Sequence, residues 1–310
     1  MVKRLVNELT WSVSRDKLFR SCERAYYYQY YGAWGGWEAD ASEETRKLYI
    51  LKNLKSLPMW AGQVVHEVIA EALKRYALKK TPLKAGALQA EARRKLRSGW
   101  LEAVNKEWQS QPKKTNLYEL YYGNGKNLPK EQTERIKEKV NKCLANFCES
   151  NILREILAAS YISWKPVDAL DSFKMDGGLK VWCALDFAFV QPDGGLKILD
   201  WKTGGERSDD LHMQLACYAL YAQQKWHTDV GNQSLAAVML PEEARESEYP
   251  VDQQALIEAE NKILTSAADM RARLTDVEKN VAEKENFPKC ENESVCRQCK
   301  FKEVCMPGLV

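Results

Sequence analysis

Residues 181–204 read Val181-Trp-Cys-Ala-Leu-Asp186-Phe-Ala-Phe-Val190-Gln-Pro-Asp-Gly-Gly195-Leu-Lys-Ile-Leu-Asp200-Trp-Lys202-Thr-Gly204. Two apolar runs flank Gln191–Gly195, where proline presets one turn dihedral and glycine supplies a positive φ. The stretch therefore predicts a hairpin of two antiparallel strands. Side chains two apart on a strand share a face, so Asp200 and Lys202 point together while Trp201 points away. The hairpin carries Asp186 to the side of Asp200. A carboxylate among apolar neighbours is costly to bury unpaired. A divalent metal resolves that cost, and two carboxylates supply hard oxygen ligands suited to Mg2+ or Mn2+. The plain alternative is a solvated pair at a strand end, with Asp186 facing water.

Upstream, Ser12-Val-Ser14-Arg-Asp-Lys-Leu-Phe opens with a capping serine and runs through Leu18, Phe19 and Cys22 to Tyr26–Tyr31, which predicts a helix opening the fold. Residues 32–57, with Gly32, Gly35 and Gly36, read as a mobile loop or lid closed by Pro58. An amphipathic helix starts at Gly62 and carries His66. Helical composition continues to about residue 160, with breaks near Thr81-Pro82, Gln111-Pro112 and Tyr122-Gly-Asn-Gly125. Strand-like runs follow at Tyr161–Trp164, Leu179–Val190 and Leu196–Trp201. After the Thr203-Gly-Gly205 turn, the pattern gives a helix over 209–224, a buried strand over 234–240 and a long charged helix over 251–276. One domain over 1–310 is expected, with a helical insertion at 67–160 and a cysteine-rich segment at 286–310.

The 46 Lys and Arg are nearly balanced by 43 Asp and Glu, so composition alone gives no nucleic-acid-binding charge. Any basic surface must come from segregation, for example at Lys79-Lys80, Arg93-Arg94-Lys95 or Lys113-Lys114, which are equally the wet faces of helices. No apolar run approaches the roughly 20 residues of a membrane span, and the start carries no signal-like apolar stretch, so no membrane association and a cytoplasmic location are expected. No glycine-rich loop ends in Gly-Lys-Ser/Thr, so no ATP site is expected in this chain. Nine cysteines, an odd number in a reducing compartment, do not suggest a disulfide framework. Cys143, Cys148, Cys183 and Cys217 read as small buried hydrophobes. Cys22, Cys290, Cys296, Cys299 and Cys305 remain.

A carboxylate-held metal beside the Lys202 ammonium suits phosphodiester hydrolysis, because the ammonium steadies an attacking hydroxide or the charge developing on phosphate. His66 is either a satisfied core or surface histidine or a third ligand whose neutral imidazole suits Mn2+. Gln214 and Tyr218 lie four apart on one helix face, placed to position the site or to mark an amphipathic boundary. Tyr26, Tyr27, Trp34 and Trp37 are candidates to stack on unpaired bases, although core packing suits the tyrosines better. In the tail, Cys296-x2-Cys299 can place two thiolates on one metal centre, with Cys305 returning to it and a fourth ligand coming from elsewhere.

The order Gly62…His66, Asp186, Asp200-Trp-Lys202-Thr-Gly, Gln214-x3-Tyr218 resembles the RecB-like branch of the PD-(D/E)XK nuclease superfamily over nearly the whole chain. Ser12-x-Ser14 followed by Cys22 and the aromatic run resembles the opening helix of its AddB-type and CRISPR-associated iron–sulfur members. The resemblance implies an α/β fold with a restriction-endonuclease-like mixed β-sheet core flanked by helices. It implies Mg2+ or Mn2+ on His66, Asp186 and Asp200, with Lys202 serving nucleophile and transition state and Gln214 and Tyr218 in the helix motif behind them. It further implies a [4Fe–4S] cluster on Cys22, Cys296, Cys299 and Cys305, leaving Cys290 over; zinc is the chemical rival. The activity implied is a metal-dependent DNA nuclease, an exonuclease or end-processing enzyme favouring single strands, with a helicase or another repair or defence partner. The alternative is a non-catalytic DNA-binding or scaffold subunit. Departures are mild: Ala184-Leu185 precedes Asp186 where a glycine often stands, and residues 67–160 exceed a minimal core.

Overall fold

A computed structural model describes residues 5–123, 128–165, 170–204 and 208–309. The Asn124-Gly125 part of the expected break and Gly205 of the expected turn lie outside them. The α-helices are α1 Val13–Ser21, α2 Glu23–Tyr27, α3 Glu43–Lys52, α4 Leu57–Lys79, α5 Ala85–Val104, α6 Tyr118–Tyr122, α7 Lys130–Glu149, α8 Asn151–Ala158, α9 Ser208–Trp226, α10 Gln253–Arg271, α11 Glu293–Gln298 and α12 Lys302–Cys305. The strands are β1 Thr10–Trp11, β2 Asp171–Lys174, β3 Lys180–Cys183, β4 Phe187–Val190, β5 Leu196–Lys202, β6 Gln233–Met239, β7 Arg245–Glu248, β8 Leu274–Asp276 and β9 Val281–Ala282.

The predicted hairpin forms. β4 pairs antiparallel with β5, from Phe187 opposite Leu199 to Val190 opposite Leu196. Its turn closes through Gln191 N–H to the Gly195 carbonyl at 2.8 Å, and Gly194 takes φ +90° there, a conformation glycine adopts without a Cβ clash. β5 then pairs parallel with β6 and β6 antiparallel with β7, giving a mixed sheet ordered β4-β5-β6-β7. β5 is buried on both faces although it carries Lys197, Asp200 and Lys202; the buried Lys197 is paired with Glu155 at 2.8 Å and Glu246 at 2.7 Å. Leu196 and Ile198 pack into one core with α9 and α10; Leu199 and Trp201 face the second core, built from α4, α5, α7 and α8. Trp201 meets Phe147 edge-on there at 5.5 Å between ring centroids.

The run Leu179–Val190 is not one strand. β3 belongs to a separate three-stranded sheet ordered β1-β3-β2, and the chain changes sheets across Ala184-Leu185-Asp186. Asp186 therefore stands at the break and not within a strand. Tyr161–Trp164 likewise gives no strand: 161–163 is a 3-10 turn, and Trp164 makes a single bridge to Phe189.

Residues 32–57 do not form a loop throughout. α3 lies within them, capped by Ser42, whose side chain accepts from Thr45 N–H. It buries Leu48, Tyr49 and Leu51 against Tyr28 and Phe301, so this segment is core and not lid. Pro58 sits in the first turn of α4, where its missing N–H costs nothing. α1 opens as expected, with Ser12 accepting from Arg15 N–H at 3.2 Å. Its buried Asp16 accepts from Ser266 of α10 at 2.6 Å and from Arg20 at 2.8 Å, fixing the helix to the core. No helix among the described residues is long and apolar enough to cross a membrane.

Candidate active site

Four elements meet at the carboxyl end of β5. The register that sets Phe187 against Leu199 puts Asp186 beside Asp200, and Asp186 Oδ2 accepts from the Trp201 N–H at 2.8 Å. Its other oxygen lies 2.7 Å from His66 Nδ1, delivered by α4. Asp200 is only 2% exposed. Its Oδ1 accepts from the Gln214 amide at 2.9 Å and lies 3.2 Å from the Tyr218 hydroxyl; its Oδ2 lies 2.6 Å from Lys202 Nζ as an ion pair without a well-aligned hydrogen bond. Lys202 donates in turn to Gln214 Oε1 at 3.0 Å. The spacing of Gln214 and Tyr218 on α9 thus becomes one network, in which Tyr218 also bonds Gln214 at 2.5 Å and donates to the Ala184 carbonyl at 2.7 Å. That carbonyl is available because the strand is broken there.

The electrostatics follow from this crowding. Burial, and then the neighbouring Asp186 charge, push the Asp200 carboxyl up to about 6. Burial would lower His66, but the charge and hydrogen bond of Asp186, assisted by Asp200, outweigh it and raise the imidazole's affinity for a proton. Tyr218 is held firmly as the phenol by its burial and by both carboxylates. Two carboxylates and an imidazole converge, with a buried Asp200 oxygen left without a hydrogen bond. This donor set fits a hard divalent ion such as Mg2+ or Mn2+. Here the same atoms are engaged by Gln214, Lys202 and the Trp201 amide, and no three His, Cys, Asp or Glu among the described residues form a closed ligand group.

Gly62 has a reason that spacing alone did not reveal. It lies four residues before His66 and so shares its face of α4. A Cβ there would stand 2.8 Å from Thr203 Oγ1. The helix can thus approach the end of β5 closely enough for His66 to reach Asp186. The entry of α4 is fixed by Ser56, which caps Met59, and by the Glu119 carboxylate, which accepts from Leu57 N–H at 3.0 Å.

The second cluster lies apart from this one. Cys22, Cys290, Cys296, Cys299 and Cys305 all line one cavity of about 430 Å³. Cys290, expected to be left over, is among them, with its sulfur 3.6 Å from that of Cys296. As free thiols, Cys22, Cys290, Cys299 and Cys305 are raised by burial, Cys299 to about 11. The cations nearby hold carbonyl oxygens: Lys300 that of Lys52 at 2.7 Å, Lys289 that of Cys305 at 3.0 Å, Arg24 that of Phe287 at 2.7 Å. Among the described residues no carboxylate pairs with any of the three. Burial and then the Lys52 charge push Lys300 down to about 8. The five thiols of one cavity, with cations beside them, are of the donor type a metal–thiolate centre takes, but no three of them among the described residues form a ready ligand group. The cations could not be read from spacing because the carbonyls they hold come from distant parts of the chain. Cys143, Cys183 and Cys217 are buried as expected, while Cys148 is only partly so.

The remaining sequence candidates divide. Tyr26 is fully buried against Phe19, Tyr30 and Phe287 and belongs to the core, while Tyr27 is partly buried. Trp34 and Trp37 meet edge to face at 5.1 Å and are partly exposed.

A mixed sheet flanked by helices, with an acid-x-lysine strand joined to a second aspartate by a hairpin, defines the class of metal-dependent nucleases built on the restriction-endonuclease-like fold. Residues 10–306 match the PD-(D/E)XK nuclease superfamily model, and the chain belongs to that superfamily. No match to a curated protein was found.

Proposed function

We propose that this nuclease hydrolyses DNA with Mg2+ or Mn2+ held by Asp186, Asp200 and His66, acts at single strands or ends in the manner of the RecB-like branch, and carries a [4Fe–4S] cluster. The observation that carries the catalytic part is the closed network Asp186–Trp201 N–H, Asp200–Gln214–Lys202 and Gln214–Tyr218. When bound, the divalent ion supplies Lewis-acid polarisation of the scissile phosphate. Lys202 directs water at phosphorus and steadies the added negative charge as the bond to the leaving oxygen breaks. Gln214 fixes both Lys202 and Asp200, and Tyr218 fixes Gln214. Asp186 is oriented through one oxygen by main chain, leaving the other toward His66.

The cluster reading rests on the five converging thiols and the cations around them. Its role is that of a staple. Cys22 stands in the first turns of the fold and Cys296–Cys305 near its other end, so ligation would close almost the full chain, with ligand energy becoming folding energy.

One anaerobic preparation tests both parts. Brown protein with about four irons per chain, cleaving end-labelled single-stranded DNA when Mn2+ is added, is expected. Colourless protein containing zinc overturns the cluster assignment. DNA binding without cleavage of single-stranded, duplex or forked substrates overturns the catalytic one in favour of a scaffold subunit of a helicase–nuclease or defence complex.

A further inference from the structure

A cleft of about 780 Å³ runs from Lys202, Gln214 and Tyr218 along the outer face of α1 to Trp182 and Trp34. The nuclease chemistry uses only its inner end. Its walls carry aromatic rings, hydroxyls and cations, together with the carboxylates of Glu8 and Asp210. Trp182 and Trp34 are partly exposed aromatics, one from β3 and one from the turn after the aromatic run. Ser14 and Lys17 are exposed on α1, Lys17 paired with Asp210 at 2.6 Å, while the Arg15 guanidinium lies 3.9 Å from the Tyr30 ring centroid with no carboxylate of the described residues paired to it. Beside the cleft, Lys180 rises over the Trp182 ring at 5.7 Å and pairs with Glu8 at 2.8 Å. α1 cannot easily yield, because Asp16, Ser266 and the Trp11 indole lock its inner side to α10.

Aromatic platforms interleaved with cations and hydroxyls match an unpaired nucleic-acid strand, whose bases offer stacking faces and whose phosphates seek cations. A duplex keeps those base faces stacked on each other. Resting on the nuclease reading, we infer that the α1–β3 cleft takes single-stranded DNA, with bases on Trp182 and Trp34 and phosphates at Arg15 and Ser14, and leads the strand to Lys202. Trp182 is then the residue that selects unpaired substrate.

Binding without divalent ions separates this cleft from catalysis. A fluorescein-labelled oligothymidine strand and a hairpin duplex are titrated in EDTA against the full chain. Tighter binding of the strand is expected, weakened roughly tenfold by Trp182→Ala and largely retained in Trp182→Phe. Arg15→Gln should reduce the slope of log affinity against log salt by about 0.7. Photocrosslinking of an iododeoxyuridine strand to the wild-type chain, which needs no variant to fold, should label peptides containing Trp182 or Trp34. Equal affinity for strand and hairpin, unchanged strand binding in both Trp182→Ala and Trp34→Ala, or crosslinks confined outside the cleft overturns the inference. If those results accompany Mn2+-dependent cleavage, the nuclease reading stands without it. If cleft labelling and strand selectivity accompany no cleavage, the cleft stands and the nuclease reading fails.

Discussion

The carboxylate site and the cysteine cavity are built from opposite materials. The first sits on β5, a strand buried on both faces, and its side chains are oriented by a main-chain amide, a glutamine and a tyrosine that are themselves packed. The second is assembled from short helices, partly exposed thiols and cations that find only carbonyls, drawn from both ends of the described chain. One site is positioned by the fold. The other, once metallated, would itself hold the fold together. Damage to the first should therefore remove activity and spare stability, while damage to the second should do the reverse first and lose activity as a consequence.

Asp200→Ala gives the largest expected effect. Cleavage should fall by about three orders of magnitude or more with the thermal midpoint and iron content near wild type, read by end-labelled DNA assays beside calorimetry. Next comes Cys299→Ser. We expect loss of iron and a fall in thermal midpoint of about 5 °C or more, with cleavage at low temperature declining only as folded protein declines. An unchanged midpoint after iron loss would erase the contrast between the two regions.

A third effect reports on the burial of Asp200 and the charges crowded around it. Asp200 is raised to about 6 in the folded protein, so its contribution to stability is present below the unfolded value near 4 and is lost as pH rises through 6. Metal-free Asp200→Asn escapes that loss. Its thermal midpoint relative to wild type should therefore rise by a few degrees between about pH 4 and pH 7, and added Mn2+ should stabilise the wild type only. The smallest effect is that of Gly62→Ala. Its Cβ presses on Thr203 Oγ1 and should displace α4, costing about 1 kcal/mol in stability and a several-fold loss of rate, with greater sensitivity to Mn2+ concentration.

The candidate-site stretch was legible because two independent patterns agreed: a proline–glycine turn set the hairpin, and the two-residue repeat put Asp200 and Lys202 on one face. The spacing of Gln214 and Tyr218 was legible for the same reason, as helical geometry turns four residues into one face. The sheet change at 184–186 was hidden, since an apolar run looks the same whether its halves pair in one sheet or two. α3 was masked by the glycines before it, although Ser42-Glu-Glu-Thr carries an ordinary helix start and Leu48 and Leu51 an apolar spacing. The cations of the cysteine cavity and the Trp182 wall of the cleft depend on contacts between distant segments. No local pattern announces them.

The most direct test of the account is single-turnover cleavage of end-labelled single-stranded DNA by wild type and Lys202→Ala at saturating Mn2+. Lys202 binds no metal in this arrangement, so Mn2+ stabilisation should persist while the rate falls by about two to three orders of magnitude. Equal rates in the two proteins would contradict it.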